Sequence, residues 1–100
     1  MKRILLGLAI ASLIPVTGFA ASAGEQSCRA CHGMEKTIVG PGFNQIAARY
    51  KGDADAVQKL KISIVEGSSG KWGSTPMPAN KDLTAEEVDR FARWIMSLNK

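Results

Sequence analysis

The sequence predicts a small all-α domain, and three observations carry that expectation. Apolar residues recur at helical spacing in the mature region, as in Phe43, Ile46, Ala47 and Tyr50 at i, i+3, i+4 and i+7. Thr84-Ala85-Glu86-Glu87 is a capping box that opens a helix whose apolar face takes Val88, Phe91, Ala92, Ile95 and Leu98, with Trp94 beside it. No stretch alternates apolar and polar residues as a half-buried strand does. A length of 100 residues holds one domain and no more.

The first twenty residues differ from the rest. Lys2 and Arg3 give a positive start, Ile4 to Ile14 is an uncharged apolar run, Pro15 breaks it, and small residues follow to Gly24. This order is that of a cleaved signal peptide over residues 1–20, with cleavage after Ala20 or, as the alternative, after Ala23. The run is too short to span a bilayer, which takes about 20 apolar residues. The domain proper is then residues 21–100. Its charge is modest: the net +4 of the whole chain falls to +2 when Lys2 and Arg3 leave. Without a dense basic stripe or interleaved aromatics, nucleic-acid binding has little support.

Within the domain, Glu25 to His32 reads as a short helix and Gly40-Pro41-Gly42 as a turn. The Phe43–Tyr50 stripe forms the second helix. Asp53 is the expected N-cap of a third, over Ala54 to Glu66, with Val57, Leu60, Ile64 and the stem of Lys61 facing inward and Gly67 at its end. Residues Gly67 to Leu83 read as one loop, long enough to be functional rather than a mere connection. A domain of this size sits near the limit at which an apolar core holds a fold alone. The single short disulfide available would add little, so a large buried cofactor is the expected supplement.

Cys28-Arg29-Ala30-Cys31-His32 is a C-x-x-C-H run, the signature of covalent heme c attachment. The two cysteines stand three apart on one side of a helical turn, where each sulfur can bond one vinyl group of a heme. The adjacent His32 is then carried to the iron. Other readings fare less well. A thioredoxin-type pair wants a βαβ context, and a zinc site wants four ligands from a chain with two cysteines and one histidine. A plain Cys28–Cys31 disulfide with an incidental His32 stays open. With one histidine, bis-histidine ligation is excluded, so the sixth ligand must be sought among the methionines. Met34 is too near His32 to reach the opposite heme face, and Met96 reads as helix packing. Met77 stands in the loop between Pro76 and Pro78, which stiffen it, and is the expected ligand.

These residues, with Val39-Gly-Pro-Gly-Phe43, Trp72-Gly-Ser-Thr-Pro-Met-Pro-Ala-Asn80 and the closing Trp94-Ile-Met-Ser-Leu98 helix, resemble the short bacterial class I cytochromes c. The likeness is to the periplasmic group that donates electrons to nitrite reductase and terminal oxidases. It covers nearly all of residues 21–100. It implies three to four short helices wrapped around one covalent heme. By the same resemblance the Pro41 carbonyl accepts from the second ring nitrogen of His32, Trp72 donates its indole N–H to a heme propionate, and Asn80 hydrogen-bonds near the Met77 sulfur. Two departures stand out. The start of the domain has Ala, Ser and Gly where the family carries an aromatic that packs on the last helix. Ser63 replaces a basic residue that some relatives place near a propionate.

The resemblance implies a monomeric one-electron carrier, not an enzyme, with no small-molecule substrate. Its partners would be redox proteins: a donor such as a membrane cytochrome complex, and an acceptor such as nitrite reductase or a terminal oxidase. Lys36, Lys71 and Lys81 flank the expected heme edge and are candidates to ring a docking patch. Two rivals from other classes are a heme enzyme or gas sensor in which Met77 dissociates, and a heme-free interaction module with Cys28 and Cys31 disulfide-bonded.

Overall fold

A computed structural model describes residues 23–99, and the expected leader over residues 1–20 lies outside the described residues. Four helices follow one another without a strand among the described residues: α1 Ala23–Cys28, α2 Phe43–Arg49, α3 Ala56–Glu66 and α4 Ala85–Ser97. None of them is long and apolar enough to cross a membrane.

The last helix organises the rest. Its capping box forms as its sequence predicts: Glu87 N donates to Thr84 Oγ1 at 3.1 Å, and Thr84 N donates to Glu87 Oε1 at 3.0 Å. Val88, Phe91, Ala92 and Ile95 on one stripe are buried, packing against Phe43, Ile46 and Ala47 of α2 and Leu60 and Ile64 of α3. Three aromatic rings lock this core. Phe43 meets Phe91 and Trp94 edge-on, with centroids 5.4 and 5.3 Å apart, a preferred aromatic geometry. Asn99 Nδ2 donates to the Ala47 carbonyl at 2.6 Å and ties the chain's end back to α2.

Two helix boundaries differ from the sequence expectation. α1 stops at Cys28, and the residues up to His32 continue as tighter turns in which Arg29 N, Ala30 N and Cys31 N donate to carbonyls three residues back. α3 begins at Ala56, because the Asp53 carboxylate accepts from Asp55 N at 2.8 Å and its carbonyl accepts from Ala56 N. Asp53 thus shapes a turn before the helix instead of capping it. Lys59 Nζ also reaches Asp53 at 2.7 Å, which holds that carboxyl below the usual carboxylate range.

α1 meets α4 by a contact that helix periodicity does not announce. Glu25 has no exposed surface, and Arg90 donates to its Oε1 through Nη2 at 2.7 Å and Nε at 3.3 Å. The start of the domain, which lacks the aromatic of the family resemblance, is tied to α4 by this ion pair, buried at its Glu25 end. Beside it, a Cβ at Gly24 would lie 2.6 Å from Leu83, so the small residue lets α1 close on the loop's end.

Candidate functional site

The helices and the long loop leave a mostly apolar cleft between them, about 930 Å³ with the open solvent at its mouth included. Its apolar lining comes from α2 (Phe43, Ile46), α3 (Leu60, Ile64) and α4 (Phe91, Ile95). The attachment turn contributes Cys28, Cys31 and His32. The long loop contributes Ser68, Ser69, Lys71, Trp72 and the Thr75–Pro78 stretch. Six of the seven residues singled out in the sequence line this one cleft; Asn80 does not.

His32 is held from both directions. Its backbone N donates to the Cys28 carbonyl at 2.9 Å, and its ring stacks on Phe43 with centroids 5.4 Å apart. Nδ1 lies 2.6 Å from the Pro41 carbonyl. A carbonyl can only accept, so Nδ1 carries the proton and the lone pair of the neutral ring is left on Nε2. Gly40 makes this placement possible: a Cβ there would come within 2.6 Å of the ring's Cε1. The turn itself is tied down because Val39 N and Gly40 N both donate to the Cys31 carbonyl.

Cys28 and Cys31 are not joined to each other by a disulfide. Burial pushes the Cys28 thiol up from its ordinary value, and the buried Glu25 carboxylate and Cys31 push the same way against its backbone hydrogen bond and Arg29. A redox or nucleophilic cysteine pair needs the opposite shift. This disfavours the thioredoxin-type reading on electrostatic as well as topological grounds.

Met77 is fixed through its backbone. Its N donates to the Ser68 carbonyl at 2.7 Å, and Ser68 N donates to the Met77 carbonyl at 3.0 Å. Gly67, at φ +78, makes the approach: a Cβ there would strike the Met77 carbonyl. Among the described methionines Met77 alone lines the cleft. Met34 is 40% exposed, and Met96 packs against the core. Trp72 sits at the rim, 39% exposed. Asn80 is engaged locally, its N donating to the Ile64 carbonyl and its Oδ1 accepting from Asp82 N at 2.9 Å.

A sequence model described as "Cytochrome c" matches residues 19–99 of this chain. The chain belongs to the cytochrome c family. Among its relatives, cytochrome c-552 of Nitrosomonas europaea is 39% identical over 102 residues, covering 98% of this chain and 99% of the relative. Cytochrome c-552 of Hydrogenobacter thermophilus is 40% identical over 100 residues, with 98% and 99% covered. The crystal structure of wild-type N. europaea cytochrome c552 superposes with a TM-score of 0.73 at 40% identity, over 77% of this chain and 95% of that one.

As a short class I cytochrome c, the chain carries one covalent heme c through the Cys28/Cys31 pair and works as an electron-transfer protein rather than an enzyme. The cleft suits that group. It presents two cysteines on one turn, an imidazole nitrogen freed by its partner's hydrogen bond, and a wall of aliphatic and aromatic side chains that excludes water. Sequence reasoning missed two participants. Gly40 read only as part of a turn, and Glu25 only as the start of a short helix. Neither role has a local signal, since each depends on what stands opposite in space.

Proposed function

We propose that this cytochrome c is a periplasmic shuttle whose iron is held between His32 Nε2 and Met77 Sδ, exchanging single electrons with respiratory or denitrification proteins. The observation that carries the ligand pair is the commitment of His32 Nδ1 to the Pro41 carbonyl. It leaves Nε2 for the cleft that Met77, alone of the described methionines, lines. When bound, the heme supplies one-electron chemistry at iron. The chain's part is to hold, tune and present it.

Each residue has a distinct task. Pro41 fixes the tautomer and orientation of His32 and makes it a better donor. Thioether ligation by Met77 favours ferrous iron and raises the potential relative to a second imidazole. With His32 and Met77 both holding the iron, no open site would be left for a substrate, and the chemistry the heme supplies would be outer-sphere electron transfer. Trp72 donates to a propionate, and Asn80, whose Oδ1 is taken by Asp82, offers Nδ2 to the Met77 sulfur.

Residues 1–20 direct export, with cleavage after Ala20 or Ala23. Sequencing the N-terminus of protein recovered from the periplasmic fraction tests this, and a retained Met1 would overturn it. The donor is a membrane cytochrome complex and the acceptor a nitrite reductase or terminal oxidase, on the strength of the family likeness. Lys71 lines the cleft, Lys36 and Lys81 are exposed elsewhere, and the three steer that docking weakly, since the heme propionates offset much of the domain's net +2.

The ligand assignment is tested by replacing the methionines one at a time. Met77→Ala should abolish the weak charge-transfer band at the red end of the ferric spectrum that marks methionine–iron ligation. Met34→Ala and Met96→Ala should keep it. Met77→His should stay low-spin with a markedly lower potential. Persistence of the band in Met77→Ala would hand the role to another methionine.

A further inference from the structure

Arg49 is the last residue of α2, and its side chain leaves that helix for the long loop. Its guanidinium carbon lies 4.5 Å from the centroid of the Trp72 ring, and its Nη1 donates to the Lys71 carbonyl. These contacts bridge 22 and 23 residues of sequence. They land on a segment with little else to hold it. The Ser68–Met77 backbone pair closes the neck of the loop, but Ser69 to Pro76 beyond it are exposed. Gly70 and Gly73 adopt φ +77 and +109, and a Cβ at either would meet nothing within 4 Å.

Arg49 also differs from Arg90 and Arg93, each of which faces a carboxylate; among the described residues no acidic side chain pairs with Arg49. Its interactions are directed to the loop. The geometry also suits this side chain in particular. A guanidinium can lay its flat face on an indole while an in-plane N–H goes to a carbonyl, whereas an ammonium is a point charge that cannot do both in one pose.

We propose that Arg49 is a positioning residue of the heme pocket. It clamps Lys71 and Trp72 onto the end of α2, so that the indole stays at the rim and the loop's outer part stays closed over the cleft. The proposal rests on the reading of Trp72 as a heme-propionate donor, but its test is separable from that reading.

Hydrogen exchange of the Trp72 indole N–H and of the backbone amides from Gly70 to Thr75, followed by NMR in the ferrous full-length holoprotein, reads the clamp directly. Arg49→Ala should raise those rates about 5- to 30-fold, the factor that one or two kcal/mol of lost local contact implies. Amides of α3 and α4 should stay unchanged. Arg49→Lys should restore part of the protection, and Arg49→Gln serves if the alanine variant matures poorly. Unchanged rates in Arg49→Ala and Arg49→Gln overturn the proposal. A rise spread equally over α4 also overturns it, since Arg49 would then stabilise the whole fold. Trp72→Phe separates the two readings. If it leaves the reduction potential and its pH dependence unmoved, the propionate role of Trp72 fails, while local exchange at Lys71 that still depends on Arg49 keeps the clamp.

Discussion

The two walls of the cleft are built differently. On the histidine wall each group is restrained several times over. His32 is fixed by its backbone, by the Pro41 carbonyl and by stacking on Phe43, and the following turn is tied by Phe43 N to the Gly33 carbonyl and Asn44 N to the Met34 carbonyl. On the methionine wall the loop hangs from the Ser68–Met77 pair, from Asn80 N on Ile64, from Lys81 Nζ on the Val65 carbonyl, and from Arg49. The glycines make the contrast beyond the neck of the loop: at Gly40, Gly42 and Gly67 an added Cβ would lie within 2.6 Å of other atoms, whereas at Gly70 and Gly73 it would meet open space. The imidazole beside the covalent attachment is thus preorganised by packing, and the thioether proposed as its counterpart sits on a loop held by a few separable ties. In a carrier that must keep one geometry in both oxidation states, this locates any looseness on the methionine side.

The largest expected effect comes from cutting the attachment on the stiffer wall. Cys28→Ala combined with Cys31→Ala should leave no covalently bound heme, as read from the pyridine hemochrome of purified protein. Because the core packs around the cleft, folded protein should accumulate far less as well. A normal yield of folded, heme-free double mutant would show that the apolar core is self-sufficient, and the contrast between the walls would then have nothing to do with the cofactor.

The attachment residues were legible because their chemistry is local. Five consecutive residues, Cys28 to His32, carry both bonds to the cofactor rim and the imidazole, and Pro76 and Pro78 mark Met77 from its immediate neighbours. The stripe of α4 and its Thr84/Glu87 box were legible for the same reason. What escaped was set by partners remote in sequence. Glu25 and Arg90 lie 65 residues apart, and a lone glutamate among small residues reads as solvated. Nothing local in the sequence links Arg49 to Trp72 until the fold stacks them. The start of α3 escaped because Asp53 has two local options, a cap or a turn, with similar sequence signals.

A single added methyl group on each wall sharpens the comparison. Gly40→Ala would press on the His32 ring at 2.6 Å, and the ring is already fixed by Phe43 and Pro41, so it has nowhere to yield. The expected cost is about 1–3 kcal/mol of overpacking, with a lowered denaturant midpoint and a perturbed ferric spectrum. Gly73→Ala meets no atom, so its cost should be confined to the positive φ, about 1–2 kcal/mol, with the heme spectrum unchanged. If Gly73→Ala disturbed the spectrum as much as Gly40→Ala, the loop would be as tightly coupled to the iron as the histidine turn.

The smallest expected effect lies where the histidine wall is joined to α4. The Glu25–Arg90 pair is buried at one end only: the Glu25 side chain is fully covered, while that of Arg90 is 49% exposed. Removing the cation should therefore cost more than removing the anion. Arg90→Met takes the charge-assisted bonds away from a buried carboxylate, whereas Glu25→Gln keeps a neutral hydrogen-bond acceptor for Arg90 in the same place. For a fully buried pair the first change would cost about 3–5 kcal/mol. With half of Arg90 already in solvent, about 1–2 kcal/mol is the reasonable figure, and Glu25→Gln should cost less than that. Replacing both, as Glu25→Leu with Arg90→Met, should recover much of the loss, because an apolar pair needs no desolvation offset. Denaturant midpoints of the wild type and the three ferric variants rank these changes. If Glu25→Gln proved the more damaging single change, the carboxylate's charge rather than its burial would be what holds α1 to α4.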